Sequence, residues 1–175
     1  MLDRQHIGRS LRRATRTVET GRLRFFLDVI GDKEGAFATR EGERLRVPPT
    51  YLFCLEMMDD PDPLYWLNEL GVNLMHILHG QQRFDYHASA FAGDTLTFDA
   101  SIGDIYDKKG GALQFIVKKT EVRNQADVRI ATLSSTVVYR DPAAGRERSK
   151  SAAGPLPRRS LPPGGTGPQG RRGPQ

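Results

Sequence analysis

Cysteine, tryptophan and long apolar runs are what this 175-residue chain has least of. Cys54 is the single cysteine, so no disulfide can form within the chain, which fits a reducing compartment. Its neighbours Leu52, Phe53 and Leu55 point to a packing role rather than a reactive thiol. No apolar stretch approaches the roughly 20 residues that cross a bilayer. Met1 to Arg24 carries seven arginines and no apolar segment of the kind that heads a secretory signal. These absences predict a cytoplasmic protein with no membrane partner.

Aromatic residues are missing altogether from Asp141 to Gln175, where seven glycines and seven prolines stand instead. Leu156 and Leu161 are the only large apolar side chains there, too few to offset the entropy of ordering the backbone. The sequence therefore divides into a folded unit, 1–140, and a disordered Pro/Gly/Arg-rich tail, 141–175. The net charge of the whole chain is +5. The tail alone carries +5, from Arg146, Arg148, Lys150, Arg158, Arg159, Arg171 and Arg172 against Asp141 and Glu147. Residues 1–140 thus balance at zero, and the basic character says nothing about what the folded unit binds. Without interleaved aromatics on which bases could stack, nucleic acid is not an expected partner.

In the folded unit the pattern is helical first and extended later. Thr20 stands where a cap would open a helix with Leu23, Phe26, Leu27 and Ile30 on one face, and Gly31 stops it. Pro48 and Pro49 force an extended approach to Thr50, a second cap, before the apolar run Tyr51 to Met58. A third short helix spans Pro63 to Leu70 through Leu64, Trp66, Leu67 and Leu70. Asp59, Asp60 and Asp62 lack the alternating spacing and closing glutamate of a calcium loop, so capping explains them and no metal is expected.

After Gly71 the period falls to two, over 74–87, 95–106, 112–123 and 128–140. Leu96, Phe98, Ala100 and Ile102 form one apolar face; Leu113, Phe115 and Val117 form the next, and Leu133 and Val137 another. Ala92-Gly93-Asp94, Lys109-Gly110-Gly111 and Asn124-Gln125-Ala126-Asp127 supply turns, and such short links predict that consecutive strands are antiparallel neighbours. Helices followed by a strand meander describe an α+β domain with its helices on one face of a curled antiparallel sheet.

Three segments carry a family likeness: Val47-Pro48-Pro49-Thr50; Leu78-His79-Gly80-Gln81-Gln82-Arg83-Phe84-Asp85-Tyr86-His87; and Gly93-Asp94-Thr95-Leu96. With Ile7-Gly8-Arg9, the run Thr120 to Gln125 and Ser134 to Arg140, they resemble the N-terminal domain of MaoC-like acyl dehydratases over nearly all of residues 7–140. The resemblance implies a single hot-dog fold, an antiparallel curled sheet wrapped around a central helix. It also implies a subunit that handles acyl thioesters of coenzyme A or acyl carrier protein, with no other cofactor, as part of a homodimer or a heterodimer.

Active members of such hot dogs place an Asp and, five residues later, a His in an Asp-x-Asn-Pro-x-His motif that positions and activates water. Here Asp32 keeps the aspartate place, Phe37 stands where the histidine belongs, and the Asn-Pro pair is absent. Phenylalanine cannot transfer a proton, so the resemblance implies a substrate-binding half paired with a catalytic subunit. The alternatives are a self-sufficient homodimeric hydratase using Asp32 and His79, an acyl-CoA thioesterase, and a purely structural hot-dog partner. Pro49, Thr50, Leu78, Gly80 and Gln82 are the candidate thioester-binding residues. His76 and His79 fall on opposite faces if both lie in one strand, which argues against a zinc site. Lys108, Lys109, Lys118 and Lys119 could meet phosphates, although a solvated face is the plainer expectation.

Overall fold

The computed structural model describes residues 2–32, 37 and 44–140. The 141–175 tail read from composition lies outside the described residues. A five-stranded antiparallel sheet runs in the order β1-β3-β4-β5-β2, with β1 Ala14–Thr17, β2 Ile77–Tyr86, β3 Thr95–Lys108, β4 Leu113–Asn124 and β5 Arg129–Arg140. Three helices, α1 Thr20–Val29, α2 Tyr51–Met57 and α3 Tyr65–Glu69, lie between β1 and β2 in the chain. This is the hot-dog arrangement, and the alternation of β3, β4 and β5 explains it: one face of these strands carries buried residues, and the helices pack on it.

Two groups of side chains form the core. Leu23 and Leu27 of α1 and Tyr51, Leu52 and Leu55 of α2 pack on Leu96, Phe98, Val122, Ile130 and Leu133, while Trp66, Leu67 and Val72 cover Ile102, Ile105, Ile116 and Val137. The expected helix boundaries hold to within two residues at each end. Neither Thr20 nor Thr50 caps with its side chain, because Glu19 occupies the cap position of α1 and Thr50 is itself in a helical conformation. Ile30, expected on the buried face of α1, is 47% exposed, at the cap position just past the last residue of the helix.

Other expectations are corrected. A strand at 14–17 was not foreseen; it pairs with β3 from Ala14 opposite Phe98 to Thr17 opposite Thr95. β2 pairs with β5 and not with β3, so the 87–94 link is no hairpin turn. It is held instead by the approach to α2, where the Val47 N–H donates to the Ala90 carbonyl and the Ala92 N–H to the Leu45 carbonyl, both at distances below 3 Å. Gly93 is needed there for its positive φ of 85°. In β4 the inward face is Gln114, Ile116, Thr120 and Val122, and Leu113, Phe115 and Val117 point the other way. Phe115 then stacks on Tyr106 at 4.8 Å between ring centroids, so both faces of this strand carry apolar side chains and its alternation is ambiguous. His76 belongs to a 3-10 turn, Leu74–His76, and not to the strand.

Lys118, expected on a solvated face, is also corrected. Its Nζ lies 2.8 Å from Glu56 Oε1, with the two side chains only 12% and 9% exposed. The Thr120 hydroxyl donates to the same oxygen at 3.0 Å, which ties α2 to β4. Cys54 is half-buried rather than fully packed, and burial pushes its thiol pKa up.

Candidate functional site

Gly31, at a positive φ of 78°, closes α1, and the Asp32 N–H donates to the Leu27 carbonyl at 3.0 Å. The Phe37 N–H donates to Asp32 Oδ2 at 3.2 Å. The five-residue spacing of the family motif therefore does bring the two positions together, but the group offered to the carboxylate is a backbone amide and the side chain is a phenyl ring. That ring packs against the core and lies under the Arg46 guanidinium, 5.2 Å from ring centroid to carbon.

Beside this pair opens a cleft of about 470 Å³, lined by Phe37, Arg46, Val47, Pro49, Tyr86, His87, Ala88, Ser89 and Ala90. Its size lies in the range of small-molecule pockets. Two chain segments form its walls, 46–49 entering α2 and 86–90 leaving β2. They are joined across the gap by the Val47 N–H to the Ala90 carbonyl and by the Tyr86 hydroxyl to the Pro49 carbonyl, while the Arg46 N–H donates to the Phe37 carbonyl. The His87 and Ala88 amides both donate to the Ile130 carbonyl, and the His87 ring nitrogen Nε2 lies 3.1 Å from the Thr132 hydroxyl. Burial pushes the Tyr86 phenol pKa well above its ordinary value, so it stays a neutral hydrogen-bond donor.

His79 stands elsewhere. Its ring is 5.4 Å from that of Phe53 of α2, and its Nε2 is 3.1 Å from the Gln81 carbonyl. Neither Asp32 nor His79 lines the cleft. Pro49 does, and its carbonyl is occupied by Tyr86, while Thr50 sits exposed at the turn into α2. Leu78 is 70% exposed on β2, and Gln82 is half-buried with its Oε1 lacking a hydrogen-bond partner. Gly80 occupies the bulge between His79 and Gln81; a Cβ there would meet Val138 Cγ2 at 2.8 Å, which is reason enough for glycine.

The cleft residues Arg46, Tyr86, His87 and Ser89 escaped the sequence reading. Tyr86 and His87 end the most informative segment, and that is the one signal that could have found them. Among the described residues no group of three or more His, Cys, Asp or Glu is placed to hold a metal, and no helix is long and apolar enough to cross a membrane.

Asp94, in the Gly-Asp-Thr-Leu segment, is structural. Burial favours its neutral form, but Arg44 at 2.6 Å, the Phe91 amide at 2.8 Å and the Gln125 amide at 3.2 Å outweigh this and hold the carboxyl below its usual pKa.

Several solved structures share this fold. The HadBC complex of Mycobacterium tuberculosis, a 3R-hydroxyacyl-ACP dehydratase, is similar at TM-score 0.59 and 21% identity over 71% of this chain and 90% of that one. The ChsH1-ChsH2 complex from the same organism gives 0.62 and 17% over 77% and 85%. A MaoC-like dehydratase from Phytophthora capsici gives 0.61 and 22% over 77% of this chain and 48% of that one. In sequence, a UPF0336 protein of Streptomyces coelicolor is 28% identical over 153 residues, covering 79% of this chain and 95% of the relative. The FAS1-like dehydratase domain region matches residues 5–133, and this chain, with its hot-dog fold, belongs to that family.

Proposed function

We propose that this chain is the substrate-binding, non-catalytic half of a heteromeric enoyl-thioester hydratase or 3-hydroxyacyl-thioester dehydratase, acting on acyl groups carried by coenzyme A or acyl carrier protein. The observation that carries the reading is Phe37. Hydration of an enoyl thioester, or its reverse, needs a base for one proton and a donor for the oxygen, held against one substrate. The position that faces Asp32 supplies only an amide N–H, already 3.2 Å from Oδ2, and a side chain with no proton to give. A catalytic partner would bring the complete Asp and His pair, and this chain the surface for the acyl thioester. Pro49, Thr50, Leu78, Gly80 and Gln82 are the residues assigned to that surface.

Pairing is supported by the sheet. β2 ends the strand order, so its outer edge has no neighbouring strand among the described residues, and Met75 and Leu78 beside it are 85% and 70% exposed. An open, apolar strand edge is a place for another chain. Two of the structurally similar proteins are themselves complexes of two different chains.

Co-expression of the full chain with a hot-dog subunit that carries an intact Asp-x-Asn-Pro-x-His motif tests the proposal. The two should co-purify, and Asp32→Asn in this chain should leave turnover of the complex within about twofold, since a group that does no proton transfer contributes little to the barrier. A loss of about a hundredfold or more on Asp32→Asn would assign this chain a catalytic role.

A further inference from the structure

The sheet face away from the helices carries side chains that the dehydratase reading does not use. The antiparallel register sets Tyr106 of β3 beside Phe115 of β4, and Phe115 beside Val138 of β5. The Tyr106 and Phe115 rings stack at 4.8 Å between centroids and 3° between planes. Val117 lies two positions further along β4 on the same face. All four side chains are half-buried, and none belongs to either core group beneath the helices. Asp104, opposite Val117, and Lys108 stand two positions before and two positions after Tyr106, about 7 Å to either side of the row. Both are exposed. Asp104 accepts from the Ile105 amide at 2.8 Å, and the Lys108 ammonium lies over the Phe115 and Tyr106 rings at 5.2 and 5.8 Å from their centroids. Among the described residues neither has an ion-pair partner.

We infer that this face is a contact between two copies of the chain, stacked sheet on sheet about 10 Å apart with the Tyr106–Phe115–Val138 row at the centre. The arrangement of charge selects a second copy. A turn of 180° about an axis along that row, lying between the two sheets, keeps the row on itself and reverses the strand direction. Asp104 of each copy then stands opposite Lys108 of the other, and apolar row meets apolar row. A partner surface of one sign, acidic or basic, would meet like charge on one of the two flanks. The apolar centre is small, so the association is weak, with Kd about 10–100 μM. It is separate from the β2 edge and does not depend on the dehydratase reading.

Sedimentation equilibrium of the full chain up to about 300 μM tests it, in a Leu78→Asp background so that pairing at the β2 edge does not contribute. The background chain should still self-associate. Phe115→Glu should weaken the association about tenfold or more. Asp104→Lys and Lys108→Glu should each weaken it about fivefold or more, because a symmetric contact contains each pair twice. Combining the two restores opposite charges across the axis and should return the association to within about twofold of the background. The charge variants change exposed side chains, so their melting midpoints at low concentration should match the background, and they decide the matter even if Phe115→Glu fails to fold. A background chain that stays monomeric, an affinity that Phe115→Glu leaves within twofold, or a double variant as weak as the single ones would overturn the inference; the first would assign the face to another occupant. Turnover assays decide the dehydratase reading without reference to this contact, so the two fail separately.

Discussion

Asp94 is 3% exposed yet ionised, and it joins Arg44, the Phe91 amide and Gln125 around one carboxylate. Its native pKa lies below its ordinary value, so its contribution to stability is complete above the unfolded-chain value of about 3.9 and is lost as pH falls through the lower native value. Asp94→Asn should cost about 2–3 kcal/mol at neutral pH. Urea melts should also show a flatter acid limb in the variant than in wild type. Gly80→Ala should cost about 1–3 kcal/mol, as an added methyl meets Val138 and the Thr136 carbonyl; the melting midpoint checks it. At this scale the sequence was partly legible. Phe37 stands five residues after Asp32, where the resemblance to MaoC-like dehydratases implies a histidine, whereas Arg46 and His87, 41 positions apart, line one cleft only because the 44–47 and 90–92 segments hydrogen-bond.

Among the elements, the short helix α2 is fastened at both ends. The Tyr86 hydroxyl holds the Pro49 carbonyl before it, and Glu56 in its last turn meets Lys118 and Thr120 of β4. Breaking a buried pair from one side leaves the other charge uncompensated, so Glu56→Leu should lose about 3–5 kcal/mol. Glu56→Leu combined with Lys118→Met should recover most of that loss, and a double-mutant cycle by denaturant melts measures the coupling. The helices were readable because their apolar spacing is unambiguous, as at Leu52 and Leu55 or Trp66 and Leu67. β1 was not, for Ala14 to Thr17 is four residues with no large apolar side chain, and its pairing with β3 is purely long-range. The facing of β4 was misread because Leu113, Phe115 and Val117 are as apolar as the Ile116 and Val122 that actually reach the core.

Among the described residues the molecule as a whole presents a sheet bounded by β1 and β2, a cleft beside Phe37, and an Asp32 carboxylate that accepts from the Phe37 amide. The order β1-β3-β4-β5-β2 could not be read from turn signals, since the link 87–94 looks like a hairpin and is a crossover. If the β2 edge is where a second hot dog pairs, Leu78→Asp should weaken association about tenfold or more without lowering the melting midpoint of the single chain, because Leu78 is exposed there. Sedimentation of the variant with and without the partner subunit shows this.

Hydration of trans-2-enoyl-CoA by the purified chain alone, with Asp32→Asn in parallel, bears most directly on the central claim. The account predicts no turnover above the uncatalysed rate from either protein, with activity appearing only when a subunit bearing the Asp and His pair is added. Turnover by this chain alone that Asp32→Asn abolishes would contradict it, and would mean that a group other than Phe37 completes the site.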